Sequence, residues 1–227
     1  MSATLDFTLC GETLRLDAER ALFWPARRLL LLADLHLGKA AVFRRAGIGI
    51  PRGASQHDLD RLAALIERHR PQQVRVLGDL VHGAVSAAES WIEPLQTLAA
   101  RPGLDFAVIG GNHDRRPGPL AGLRWLPDQI EPPFVLGHEP GADPRGYRLG
   151  GHLHPVLRLR SAADQLRLPV LWVRPDHAVL PAFGSFTGGA AVSPERADRV
   201  YACSGGEVVE LPVQAAPMRR PRQRARD

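Results

Sequence analysis

The run GGNHD at residues 110–114 sets an amide, an imidazole and a carboxylate side by side just after an apolar stretch, DFAVI at 105–109. Asn, His and Asp are poor strand formers, so three in succession mark a point where a strand stops and polar side chains project. All three types can bind a cation, and His and Asp can also move a proton. The same arrangement recurs along the chain. Asp34 and His36 follow RRLLLLA, Asp79 follows VRVLG, His138 follows FVLG, and His152 and His154 follow YRLGG. Carboxylates, imidazoles and an amide oxygen form a mixed nitrogen and oxygen donor set, which suits manganese, iron, zinc or nickel as divalent ions. No thiolate accompanies them, which disfavours a structural zinc.

Spacing sharpens this chemistry. In Asp34-x-His36 and His152-x-His154 the paired residues would share one face of a strand continuing through them. Seven candidate ligands, Asp34, His36, Asp79, Asn112, His138, His152 and His154, exceed what one tetrahedral ion takes. Two ions sharing Asp79 would use them all. Glycine precedes Asp79, Asn112, His138 and His152, permitting tight turns where a ligand projects. His57, His69 and His177 lie outside this pattern and read as ordinary core or surface histidines.

The elements that must position these residues follow from periodicity. Residues 4–24 alternate and turn at Gly11-Glu12 as a hairpin would. Residues 27–34, 74–77 and 105–109 are apolar runs that read as buried strands. Between them, Ser55 opens a helix with Leu59, Leu62, Leu65 and Ile66 on one face, and Pro71 stops it. A second helix lies within 87–100, starting late or kinked because of Pro94. After this β-α-β-α-β opening come short runs at 134–136, 147–149, 156–159, 168–173 and 199–202, which read as antiparallel strands. The expected fold is a mixed α/β one, two packed sheets flanked by helices, with five strand ends converging on one rim.

At 227 residues the chain fits one large domain, here 1–217, able to bury a core without disulfides. The two cysteines, Cys10 and Cys203, form no CxxC pair. No secretory h-region lies near Met1, and the chain reads as reduced and cytoplasmic. The longest apolar run, residues 29–33, is far too short for a membrane span. Of the net charge of +5, the segment 218–227 supplies most, with five arginines against one aspartate. That basic tail reads as disordered and solvated, with a weak phosphate-binding arm as the alternative.

In order, DLH at 34–36, GD at 78–79, GNHD at 111–114, GH at 137–138 and GHLH at 151–154 resemble the five blocks of the calcineurin-like metallophosphoesterases. The resemblance implies two mixed β-sheets with flanking helices in a four-layer sandwich, and two divalent ions, manganese by family expectation. One ion would take Asp34, His36 and His154, the other Asn112, His138 and His152, with Asp79 bridging. Longer stretches, DLHLGKAAVFRRAGIGIPRG at 34–53, GDLVH at 78–82 and PAFGSFTGG at 181–189, resemble the ligase-associated DNA-damage-response endonuclease family called PdeM. That implies a bacterial phosphodiesterase acting on DNA, single-stranded in the first instance, beside a helicase and a ligase.

Within such a site two cations would lower the pKa of a shared water and neutralise a phosphate. His113, outside the ligand set, would protonate the leaving oxygen, and Asp114 would orient it. The short spacers between Asn112, His138 and His152 leave no room for an elaborate cap, so the cleft is expected to be open. Lys39, Arg44, Arg45 and Arg52 follow the first block and are candidate phosphate contacts, with a solvated helix or loop face as the alternative. Three functions stay open: a DNA endonuclease or end-processing enzyme, a small-molecule or cyclic-nucleotide phosphodiesterase, and a scaffold without catalysis. Every ligand and His113 being present argues against the last.

Overall fold

In the computed structural model the described residues are 3–45, 47–49, 53–115, 118–160, 165–204 and 206–213. Arg52 and the tail at 218–227 lie outside them, as does the side chain of Arg45. The first sheet holds β1 (Thr4–Leu9), β2 (Glu12–Asp17), β3 (Ala21–Trp24), β4 (Leu29–Leu32), β5 (Gln73–Leu77), β6 (Asp105–Ile109) and β7 (Arg124–Leu126), side by side in chain order. Pairing is antiparallel up to β4 and parallel from β4 to β7. The change follows from the connections. Cys10 and Gly11, both with positive φ, close a two-residue hairpin, whereas parallel neighbours need a long crossover.

Those crossovers carry the helices α1 (Lys39–Arg45), α2 (Ala54–His69) and α3 (Ile92–Ala99). The α2 helix buries Leu59, Leu62, Leu65 and Ile66, the face its apolar spacing predicts. It ends where Arg70 turns left-handed, before Pro71, which cannot continue a helix. Pro94 is accommodated in the first turn of α3, where its missing N–H has no partner to lose. Within β4, Leu30 and Leu32 join the helix-side core with Leu62, Leu65 and Leu95. Leu29 and Leu31 point the other way, against the second sheet.

The second sheet contains β8 (Gln129–Glu131), β9 (Phe134–Leu136), β10 (Tyr147–Gly150), β11 (Pro155–Arg160), β12 (Gln165–Val173), β13 (His177–Val179), β14 (Ala190–Ala191), β15 (Arg199–Ser204) and β16 (Glu207–Leu211). The expectation that these strands are all antiparallel needs correction: β10 pairs in parallel with both β9 and β13. Trp24, Phe134, Leu136, Leu171 and Tyr201 fill the space between the sheets. The outer face of the second sheet buries Leu168, Val170 and Val200 beneath Val192 and Val213, so among the described residues that layer is extended chain rather than helix. No helix among the described residues is long and apolar enough to cross a membrane.

Candidate metal centre

All seven expected ligands come just after the carboxyl ends of parallel strands. Asp34 and His36 follow β4, Asp79 follows β5, Asn112 follows β6, His138 follows β9, and His152 and His154 follow β10. This depends on the parallel pairing, because antiparallel neighbours would present their ends to opposite rims. The ligand segments are not strands, as the i, i+2 spacing had suggested. Asp34, His36, Asp79, His152 and His154 all have left-handed backbones, with φ between 48° and 69°. That conformation costs an L-residue roughly 1–2 kcal/mol. The other described non-glycine residues with positive φ, Cys10, Arg20, Arg28 and Arg70, close turns or helix ends. At the rim the strain goes with side chains aimed inward.

The loops are held by each other's backbones. Asp34 and His36 donate N–H bonds to the carbonyls of Gly78 and Asp79, and Gly184 donates to the Asp34 carbonyl. The Asp34 carboxylate accepts from the His152 amide at 2.8 Å. Asp79 Oδ1 accepts from the His113 amide at 2.9 Å. The glycines before the ligands permit close approach, and Gly78, with φ of 80°, also permits a turn. A β-carbon on Gly111 would lie 2.3 Å from Asp79 Oδ1, and one on Gly78 2.1 Å from His138 Nδ1.

Two groups of donor atoms form, each within 4.8 Å: Asp34, His36, Asp79 and His154, and Asp79, His138 and His152. Asp79 belongs to both. Asn112 Oδ1 lies 3.0 Å from His138 Nε2 and so joins the second group. His36 Nε2 faces His154 Nε2 at 3.1 Å, and His138 Nε2 faces His152 Nδ1 at 3.1 Å. His138 Nδ1 lies 3.0 Å from the Leu77 carbonyl, which only accepts, so the neutral ring carries its proton there and bares a lone pair at Nε2. That lone pair points at another acceptor, the Asn112 oxygen, an arrangement a cation between them resolves. Burial, with His154 and Lys39 nearby, pushes the His36 pKa down to about 2, leaving the ring in the neutral form that binds metal. The donor set fits two divalent ions.

The remaining site residues divide. The His113 ring is partly exposed and lies outside both groups that share Asp79, its Nε2 4.0 Å from Asp79 Oδ2. It stacks on His82 with ring centroids 4.7 Å apart, and with His36 and His82 forms a third, all-imidazole group. His82 is the site residue that strand-end reading passes over. The signal for it was the GDLVH stretch, which places it three residues past Asp79. Asp114 does not reach the His113 ring as expected. Its buried carboxylate accepts from the Gly111, Leu80 and Val81 amides, so it fixes the turn rather than the imidazole.

Lys39 opens α1 beside the centre. Burial lowers its pKa against the pull of the Asp79 and Asp34 carboxylates. Arg44 lines a separate groove between α1 and the segment leading to α3, and Arg45 contributes only its backbone among the described residues. On the opposite flank a cleft of about 550 Å³ is lined by Asn112, Arg115, His138, Glu139 and Arg148. His69 and His177 pair with Asp17 and Asp176, away from the centre.

A two-sheet sandwich with paired cation sites at its parallel strand ends defines a metal-dependent phosphoesterase. The model of the calcineurin-like phosphoesterase family matches residues 27–206, and the chain belongs to that family. Among solved structures, the Pseudomonas putida nuclease MPE is similar over 92% of this chain and 100% of its own, at 34% identity and a TM-score of 0.78. The Escherichia coli phosphoesterase Yfce matches over 82% of this chain and 99% of its own, at 15% identity and a TM-score of 0.42. A Danio rerio transmembrane protein with a metallophosphoesterase domain is 36% identical over 87 residues, which is 38% of this chain but only 16% of that protein.

Proposed function

We propose that this chain is a dinuclear phosphodiesterase that hydrolyses DNA, single-stranded by preference, with manganese as its ion, in DNA repair alongside a ligase and a helicase. The observation that carries the nuclease part is its similarity along nearly its whole length to a nuclease, and the choice of DNA is supported by the PdeM-like stretches at 34–53, 78–82 and 181–189. The two metal ions, when bound, supply an activated water and neutralise phosphate charge. Asp34, His36 and His154 hold one, Asn112, His138 and His152 the other, and Asp79 joins them. His113, partly exposed at the rim and anchored through its amide to Asp79, gives a proton to the leaving oxygen. Asp114 keeps the turn that presents it. Lys39 and Arg44 steady the phosphate backbone.

A second reading, hydrolysis of a small nucleotide, is favoured by the cleft beside Asn112 and His138, which is large enough for one. The deciding experiment incubates circular single-stranded DNA with manganese and either intact protein or His113→Ala. The expected result is a linearised circle for the intact protein and, for the variant, about 10²- to 10⁴-fold slower cutting at unchanged metal occupancy. A circle left intact while bis-p-nitrophenyl phosphate is hydrolysed would favour the small-substrate reading.

A further inference from the structure

The hairpin β11–β12 begins at the centre itself, since Pro155 follows the ligand His154, and extends from it beyond the ends of β10 and β13. Its register places Arg158 directly opposite Arg167. Directly opposed residues have β-carbons only about 4.5–5.5 Å apart, and like charges so placed repel. Both arginines are exposed, and neither forms an ion pair with a described residue. Arg167 makes one hydrogen bond, to the Gly189 carbonyl at 2.8 Å. Alternation sends the exposed Leu159 and Leu166 to the other face, so the positive charge is gathered on one side.

That side is continuous with the catalytic rim. Gly189 packs on Val156 and the His154 carbonyl, Gly184 of the same segment abuts the Leu35 carbonyl, and Phe186 meets Phe43 of α1 edge-on. One flank of the centre therefore carries Lys39, the segment 184–189 and the arginine pair. The opposite flank differs, because Arg145 and Arg148 there are already engaged by Asp143 and Asp128. A cationic pair held together with no carboxylate beside it among the described residues is relieved by an anion from outside, and a phosphate backbone supplies one at each step.

We infer that Arg158 and Arg167 form a phosphate clamp that carries a DNA strand away from the centre along the β11–β12 hairpin. This rests on the DNA-cleaving reading proposed above. At about 3.3 Å per residue, Arg158 lies about 13 Å of strand beyond His154. The clamp thus grips the polymer beyond the reacting phosphodiester, and a small ester cannot reach it.

The test compares intact protein with the double variants R158A/R167A and R158T/R167T, the second keeping a strand-favouring side chain. Cleavage of single-stranded DNA is measured from about 50 to 200 mM salt, beside hydrolysis of bis-p-nitrophenyl phosphate. Losing two phosphate contacts flattens the slope of log kcat/KM against log salt by about 1.4, so the intact enzyme loses about sevenfold more than the variants over that range. The ratio of DNA to ester efficiency falls in both variants. An unchanged slope, or parallel loss of ester and DNA activity in both variants, overturns the clamp. Intact protein that hydrolyses the ester but leaves DNA whole refutes the DNA-cleaving reading itself, and the clamp with it.

Discussion

Replacing Gly78 with alanine would show how tightly the two sheets are fitted around the metals. The added β-carbon would stand 2.1 Å from His138 Nδ1, where ordinary contact begins at 3.4 Å. The ring must therefore retreat by about 1.3 Å, several times the roughly 0.2 Å tolerance of a metal–ligand distance. It would also give up its bond to the Leu77 carbonyl. Disturbing only the partners of a ligand already costs about 10- to 100-fold in metal affinity, so the expected loss for manganese is about 100-fold or more. Gly103→Ala separates this from backbone strain. Gly103 has φ of 77° against 80° at Gly78, and nothing lies within 4 Å of its β-position. Each substitution costs roughly 1–2 kcal/mol of backbone strain, about 2–8 °C in Tm for a chain of this size. The assay is manganese titration of phosphodiester hydrolysis, with thermal melts of both variants. Equal manganese activation of the two variants would refute the close-packing account.

Other consequences can be checked with the same preparations. Asp114→Ala strands three amides that its carboxylate satisfies, at about 1–3 kcal/mol each. It should lower both Tm and manganese affinity, whereas a lower kcat with Tm and affinity intact would restore a direct role on His113. Chelation should abolish hydrolysis and manganese restore it, and manganese at about 100 times its Kd should add about 2.7 kcal/mol of stability, read as a higher Tm. Asp17, buried beneath Arg68 and His69, is a purely structural case. Burial raises its carboxyl pKa, but the bonds from His69, the Glu19 amide and Arg68 outweigh that and hold it below its ordinary value. The stability it adds is therefore complete above about pH 3.9 and lost as pH falls through the lower folded value. Asp17→Asn should cost about 3 kcal/mol at pH 7, and the gap in urea midpoint should narrow below pH 4.

The strands β6 and β9 are legible to the residue, because DFAVI and FVL are apolar runs cut off by glycine. The apolar face of α2 is equally plain in the spacing of Leu59, Leu62, Leu65 and Ile66. Strand direction is not. Nothing local in YRLG says that β10 will pair in parallel with β9 and β13, since that depends on where long connections cross. The ligand pairs illustrate a right conclusion reached by the wrong geometry: Asp34 and His36 meet the same ion group, but through left-handed backbones instead of a continued strand. Asp114 misleads for a related reason. Adjacency to His113 suggests a side-chain contact, while the turn directs its carboxylate back onto Leu80 and Val81. The Arg158–Arg167 pairing is invisible without the register of two strands.

Asp34, His36, Asp79 and Asn112 rise from the first sheet, and His138, His152 and His154 from the second. The centre is thus a seam, and ions seated in it would work as rivets between two halves joined by apolar packing and, at the rim, by a few bonds such as that from the His152 amide to Asp34. The far end of the same interface is closed by Trp24 against Phe134, ring centroids 5.0 Å apart. Stripping the metals should accordingly open the sandwich from one end only. Amide exchange would quicken at residues 34–37 and 151–154 while the Trp24 end stays shut, so that the enzyme's loading with metal could be followed as a change of shape before any substrate is added.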